Sequence, residues 1–569
     1  MKRLSARAVI GSQKGLALVL TLLILTLLSV LAVGLSALGM TEGAASGSWK
    51  DYSSAFFAAD AGLESGVVNL RTILQGRPNP STADLNGIAA PSLITPGLSF
   101  AAFSVTKATL AHQTTFASGP YAGFTGIVTD YRIAASATGP GGSSAALSQV
   151  LQLTQIPLFQ FGVFYGKGVD LEIAPGPLMT FNGRVHANSS IYLGAGSTLK
   201  FNSTITTAGT INRYLKRDPS SIPWGNNPQI MDNNAVYQNL NFDHTYKPNF
   251  GSQWASATDW KNQATSTFGS QVRDSAMGVA ELTPLIPDLF YNPSNPDVVS
   301  HELIEIPTGS DSADLKAAKL YSQAGLRIVD GAATDGQGNS VSLPGGIVTT
   351  TSFYDAREAQ TMTVTEVDVG QLRSTGLAPA NGILYVATTS GTGKAVRLVN
   401  GSRLPSQGLT VVSQNPVYIR GDYNTVNKVA AAVLGDAITV LSNNWAANNS
   451  DGKGNQSTSA RPASATTVNA AFATGPSAES QPNQGNGQLE NVIRFLEDWN
   501  GRNFTYSGSI VSLWHSLQAT GAWNAPGTGA GQYYTAPARI WSYDTLFNTT
   551  VPPGTPSAII MAKGRWSRS

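Results

Sequence analysis

Gly15-Leu16-Ala17-Leu18-Val19-Leu20-Thr21-Leu22-Leu23-Ile24-Leu25-Thr26-Leu27-Leu28 opens an apolar run that reaches Thr41 without one charged side chain. As a helix, its roughly 26 positions at about 1.5 Å each extend near 39 Å, more than the roughly 30 Å hydrocarbon core of a bilayer. Lys2, Arg3, Arg7 and Lys14 precede the run. Basic flanks stay cytoplasmic, so everything after residue 42 is expected outside the cytoplasm. Two simpler readings compete. A secretory signal has an apolar region of about 7–15 residues and a small-residue cleavage site, which Ala44-Ala45-Ser46 imitates. A plain signal anchor requires hydropathy alone.

Beyond the run, Phe56, Ala59, Leu63, Val67, Leu70 and Leu74 fall on one helical face. The membrane helix is therefore expected to continue as an amphipathic helix, with much of the C-terminal half of that stripe covered by this protein's own exported domain. Gly34, Gly39, Gly43 and Gly47 lie between the two parts. They predict a weak point, each costing about 0.5–1 kcal/mol of helix stability relative to Ala.

The Lys14-Gly15 pair directly before Leu16 resembles the leader junction of type IV prepilins. Ala55-Phe56-Phe57-Ala58-Ala59-Asp60-Ala61-Gly62-Leu63-Glu64 resembles the AFYAAEAGLE stretch of the PilX N-terminal family of pilus assembly proteins. Together the two resemblances cover residues 12–75. They imply processing at Lys14, Gly15 and Leu16 by prepilin peptidase on the cytoplasmic side, with Leu16 as an N-methylated mature terminus and the helix kept as an anchor. Counted from Leu16, the fifth residue is Leu20, where a major pilin carries a glutamate that pairs with a neighbour's amino terminus. A carboxylate in lipid is costly unless paired, so its absence changes how the subunit docks. The resemblance thus implies a minor pilin or pseudopilin, with Leu20, Glu42, Phe56, Ala59, Leu63 and Val67 as helix-packing and assembly residues. Its implied partners are prepilin peptidase, other minor and major pilins, and the inner-membrane assembly platform. The implied location is the bacterial inner membrane, single-pass, with the C-terminal region periplasmic or extracellular at a pilus tip.

With 569 residues the chain is long enough for several domains. Only 12% of it is charged, against roughly 25% in ordinary soluble domains, which fits a turn-rich exported protein. The expected class is α+β: a transmembrane pilin-like helix followed by a mainly-β region that includes a short β-solenoid. The segments are a leader at 1–15, the helix at 16–75, a small β-sheet at 76–158, a mainly-β region at 159–445, a flexible low-complexity stretch at 446–488, and a C-terminal helix with strands at 489–569. The solenoid expectation rests on an echo. Met179-Thr180-Phe181-Asn182-Gly183-Arg184-Val185 returns as Leu199-Lys200-Phe201-Asn202-Ser203-Thr204-Ile205, about one turn of a parallel coil later. Gly408–Tyr418 and Ala430–Leu441 are candidates for further rungs. Residues 213–300 read as long loops or an insertion, and Leu489, Val492, Ile493 and Leu496 as one face of a short helix. Residues from about Gly76 onward are expected to fold without the anchor.

Chemistry is sparse in this chain. A net charge of +2 gives no case for nucleic acid as a partner. With no cysteine there is neither disulfide nor thiolate site. His112, His186, His244, His301 and His515 form no HExxH pair, because His301-Glu302 is followed at the second ligand position by Glu305. Gly391-Thr392-Gly393-Lys394 lacks the Walker spacing and reads as a hairpin turn. Asp335–Asn339 and Asp451–Asn455 read as turns rather than calcium loops. Glu302, Glu305, Glu366 and Asp368 are the carboxylates that a sugar-cleaving pair would draw on. Trp499, Trp514, Trp523, Tyr533, Tyr534, Trp541 and Tyr543 suit either sheet packing or a binding surface. No cofactor or metal is expected. Three functions remain: a non-enzymatic subunit for assembly, priming or tip formation of a type IV pilus or related secretion pseudopilus; a membrane-anchored adhesin with a surface or polysaccharide ligand; and an extracellular polysaccharide-active enzyme.

Overall fold

The computed structural model describes residues 13–118, 121–216, 226–243, 255–256, 259–283, 287–290, 292, 294–478 and 485–568. With 24% helix and 33% strand, the chain is a long apolar helix followed by a β-rich region. Most of the helix content lies in α1, Gln13–Gly76, which is continuous through Gly34, Gly39, Gly43 and Gly47. A Cβ at any of these four glycines would meet nothing within 4 Å. They lie where no tertiary contact tests the helix.

The C-terminal third of α1 lies on an antiparallel sheet of β1 (Ser99–Lys107), β2 (His112–Thr115), β3 (Thr125–Thr138) and β4 (Ser144–Pro157). Alternation decides which face meets the helix: Tyr131, Ile133, Ala135 and Ala137 of β3 are buried, as are Leu147, Leu151 and Leu153 of β4. They pack against Ala55, Ala59, Leu63, Val67, Leu70 and Leu74. This helix-on-sheet module, the head, has a fifth strand that arrives from the far end of the chain. Ser557–Arg568 pairs antiparallel with β4, from Ser557 opposite Pro157 to Arg568 opposite Leu147.

Residues 158–556, the body, are thus inserted between two neighbouring strands of the head. Short strands run through it in parallel ladders. The longest is an eleven-stranded sheet. It begins at Val163–Tyr165, and successive rungs at Val185–Ala187, Ile205–Thr207 and Val272–Arg273 stack outward from there. The chain then crosses to the opposite end and returns through Leu326–Val329, Ile383–Ala387, Leu409–Val412, Ala431–Leu434 and Ala471–Ala473 to Ile510–Ser512. Ile510 pairs with Val163 there, joining the two arms. A second ladder carries Gln360–Asp368, Gly393–Val399, Val417–Arg420, Ile438–Leu441 and Ile493–Arg494.

The sequence echo is realised as pairing between its own copies. Met179 lies opposite Leu199, Val185 opposite Ile205 and Ile191 opposite Ile211. Phe181 stacks on Phe201 with ring centroids 5.4 Å apart, and Asn202 Nδ2 donates to Asn182 Oδ1 at 2.7 Å. Identical residues placed in register form both an aromatic stack and an amide ladder. The strands at Leu409–Val412 and Ala431–Leu434, within the two segments expected to add rungs, pair with one another in the eleven-stranded sheet.

Several expectations are corrected. Residues 446–488 are not a flexible excursion where they are described: Thr466–Asn469 and Ala471–Ala473 are strands, and Phe472 is fully buried. Their small polar side chains find partners on adjacent rungs. Asn424 and Asn469 exchange amide-to-carbonyl bonds, and Thr467 N donates to Asp422 at 2.8 Å. Leu489–Asn491 is a single 3-10 turn, followed by the strand Ile493–Arg494. The helical spacing there comes from a corner turning inward. Gly391–Lys394 connects two different sheets rather than the arms of a hairpin. Residues 213–300, where described, hold short strands and the helix Trp260–Phe268, whose Trp260, Ala264 and Phe268 are buried.

The helix supplies one wall of the head's core, which argues against the expectation that the chain from Gly76 onward folds alone. In detergent-free buffer, a chain beginning at Ser48 should be soluble and melt cooperatively, whereas one beginning at Gly76 exposes β3 and β4 and should aggregate. Differential scanning calorimetry with light scattering distinguishes the two. Equal behaviour would show that the helix is dispensable to the core.

Candidate functional site

Two halves of α1 have different fates. Leu16 to Trp49 is bare, with Leu20 59% exposed, and this stretch contains the one helix long and apolar enough to span a membrane among the described residues. Glu42 stands exposed on it. Ala59, Leu63 and Val67 are instead sealed against the protein's own sheet, and Phe56 is half-buried under Trp566 at a centroid distance of 5.4 Å. Lys14 and Gly15 belong to the first turns of α1, Leu16 is exposed, and residues 1–12 of the leader lie outside the described residues.

The segment 55–64 has a local logic. Ala55, Ala58 and Ala59 let the helix approach the sheet, and Gly62 completes the approach: a Cβ there would lie 2.6 Å from Phe100 Cε1 and 3.0 Å from Ala135 Cβ. Gly66 repeats the device one turn on, 2.7 Å from Ile133 Cγ2. Glu64 pairs with Lys563, while Arg568 lies over the rings of Tyr52 and Phe56 at 5.7 and 5.9 Å. The terminal strand therefore clasps the helix. Phe57 and Val68, on the opposite face, remain 66% and 60% exposed.

The carboxylates considered for catalysis all have structural partners. Glu302 pairs with Lys319 at 2.5 Å. Glu366 accepts from Arg397 at 2.6 Å and Arg420 at 3.3 Å. Asp368 caps the helix Val369–Ser374 through Gln371 N and accepts from Asn400. Glu305 accepts from His301 Nδ1 at 2.8 Å, and His301 Nε2 reaches Asp436 at 3.1 Å. Asp436 also accepts backbone N–H groups of Leu517, Gln518 and Ala519. Burial alone would lower the His301 pKa, but hydrogen bonds and charge from Asp436 and Glu305 outweigh it and raise the value to about 9. His301 is thus a cationic cross-link between segments that meet only in the fold.

The other histidines are dispersed. His112 is exposed, His186 is buried, and His244 lies outside the described residues. Among the described residues, no group of three or more His, Asp or Glu side chains is arranged to hold a metal ion. Asp335 closes its turn by accepting from Gln337 N and Asn339 N, each at 2.9 Å, and Asp451 is held by Arg397. Of the C-terminal aromatics, Trp499, Trp514, Tyr533 and Tyr534 are buried and Trp523, Trp541 and Tyr543 half-buried.

Two outcomes follow from this geometry. Gly66→Val should cost about 1–3 kcal/mol by overpacking and lower the melting point of the detergent-solubilised chain, whereas Gly34→Ala should leave it unchanged. A histidine with a raised pKa gives stability that is complete below its unfolded value near 6.5 and is lost as pH rises through about 9. Melts from about pH 7 to about pH 10 should therefore show a falling midpoint, worth on the order of a few kcal/mol, and His301→Asn should flatten the slope.

The family model described as PilX N-terminal matches residues 14–64, from the start of the apolar run to the glutamate of the helix–sheet seam. No curated protein and no solved structure matches the chain. The matched stretch covers the bare anchor and the first turns of the seam, and leaves the rest of the head and the inserted body unmatched. Residues 14–64 of this chain are accordingly similar to the PilX N-terminal family, and that likeness extends to no other part of the chain.

Proposed function

We propose that this chain is a low-copy, non-enzymatic minor pilin-like subunit that serves assembly, priming or tip formation in a type IV pilus or a related secretion pseudopilus. The division of α1 carries the reading. Its bare half has no use within the monomer, and its other half is committed to the head. An apolar rod with a firmly attached head suits lateral packing of helices in a filament core. Leu20 leaves that rod without a carboxylate to neutralise a neighbour's amino terminus, and an unpaired charge in an apolar core costs at least about 2–3 kcal/mol. The subunit is therefore poorly suited to repeat along a shaft.

Prepilin peptidase and the inner-membrane platform are the partners this role requires, with the head and body on the periplasmic side before export. In the body, ladders offset by about twenty residues support closure into coils of a parallel β-solenoid, a stiff extension of the head. The commitment of Glu302, Glu305, Glu366 and Asp368 to structural partners supports a role without catalysis.

Terminal peptide mass spectrometry of the protein from its native membrane should find Leu16 as an N-methylated terminus. Quantitative mass spectrometry and immunogold labelling of sheared filaments should find few copies, at one end. An uncut Met1, a terminus near Ser46, or regular labelling along the shaft would each overturn the reading.

A further inference from the structure

A cleft of about 420 Å³ opens where the head meets the body. One wall is the loop Tyr121–Phe124, which precedes β3. The other comes from the first parallel rungs, with Arg184, His186, Thr204 and Thr206, and from the segment Ser270–Leu282. Its volume lies within the roughly 300–1,000 Å³ of small-molecule sites. Among the described residues, no Asp or Glu lines it.

Among the described residues, the two guanidinium groups in this cleft lack the carboxylate and carbonyl partners that several other arginines of the body have, although the Nε atoms of Arg213, Arg373 and Arg539 are also buried without a hydrogen bond. Arg397 is bonded to Glu366 and Asp451, Arg494 to Glu358, Ser516 and Ala519, and Arg461 to backbone carbonyls. Arg184 lies with its Cζ 4.2 Å from the centre of the Phe124 ring and interacts with the Tyr543 phenol, and Arg273 keeps its Nε buried without a hydrogen-bond partner. Burial depresses the Arg184 pKa from its ordinary value, the mark of a cation losing water without gaining a carboxylate. Stacking fixes the Arg184 plane and leaves its donor edge free, the arrangement in which guanidinium grips a carboxylate through two parallel bonds.

His186 does not add to this charge. Its burial lowers its pKa to about 4, and the neutral ring is held by Thr206 and Asn188 while it stacks on Phe164 at the floor. Around the cations stand Thr204, Ser270 and the half-buried ring of Tyr121, while Phe124 is buried beneath Arg184 and Phe161. Cations for a carboxylate, hydroxyls for hydroxyls and an aromatic wall for a ring face are together the requirements of an acidic sugar.

We propose that this head–body cleft binds a carboxylated sugar, a hexuronate unit, with Arg184 and Arg273 taking the carboxylate and Thr204 and Ser270 the ring hydroxyls. The site is independent of filament assembly and stands or falls separately from the pilus reading. The test is calorimetric titration of the full chain in detergent with galacturonate and digalacturonate, beside galactose, glutamate and inorganic phosphate. Galacturonate should bind and galactose should not. Arg184→Gln and Arg273→Gln should each weaken binding about tenfold or more; Arg273→Gln should leave the melting point unchanged, and Arg184→Gln should lower it only by the loss of the Phe124 contact. Three results would each overturn the proposal: no heat with either uronate up to roughly 10 mM, glutamate or phosphate binding as tightly as galacturonate, or both variants binding like the parent. The unmutated chain's preference among the ligands decides the question even where a variant misfolds.

Discussion

The arrangement of everything after the bare half of α1 depends on one pairing, that of β4 with the strand Ser557–Arg568. Leu158 N donates to Pro556 O at 2.8 Å, where the body departs from the head and returns to it. From there twelve residues of terminal strand run back along β4 and reach the helix through Lys563, Trp566 and Arg568. A single connection would leave the body free to swing, whereas two adjacent strands give it a neck with defined direction. Phe124, Phe159, Phe161, Phe164 and Phe547 fill that neck from both sides as one buried cluster. Large aromatic surfaces gain most where they replace water at a junction.

The same pairing explains the internal order of the body. Entry and exit are neighbours, and within the eleven-stranded sheet the first strand in the chain after the entry, Val163–Tyr165, and the last, Ile510–Ser512, are neighbours too and pair in parallel. The chain therefore starts in the middle of its stack, builds one arm outward, crosses, and builds the other arm inward. A simple repeat array growing in one direction could not meet that constraint. The cleft lies beside the shared middle, where the head loop overhangs the first rungs.

The parts of this architecture carried by local pattern were legible in the sequence. The apolar run, the stripe from Phe56 to Leu74 and the echo from Phe181 to Phe201 are periodic signals; the first two became one helix, and the echo became parallel pairing between its copies. What sequence reading missed is non-local. Ser557–Arg568 alternates too weakly to reveal that it completes a sheet whose other strands end at Pro157. Residues 446–488 read as disordered because small polar side chains bury little area. In a parallel stack, however, each such residue meets an equivalent one on the next rung, and Asn424, Asn443, Thr466 and Asn469 satisfy one another there. Composition rules presume that a polar side chain must face water to be satisfied, and stacked rungs remove that premise.

The cleft is the hardest feature to read, because Arg184 and Arg273 meet only through the fold. A trace of it is nevertheless present in the echo. Thr204 stands in the second copy where Arg184 stands in the first, and Gly183 beside it corresponds to Ser203. A rung that only needed to stack would keep a small hydroxyl at both positions, since a guanidinium at the rim brings a charge that the ladder has no means of neutralising. Elsewhere the chain supplies a carboxylate or carbonyls for its buried arginines, as for Arg397 and Arg461. At Arg184 it supplies an aromatic face, which orients the cation without satisfying its donors. A break in a repeat that coincides with an unsatisfied charge at the junction of two modules is a functional signal of a different kind from a conserved motif. It comes from where the structure leaves a charge unanswered.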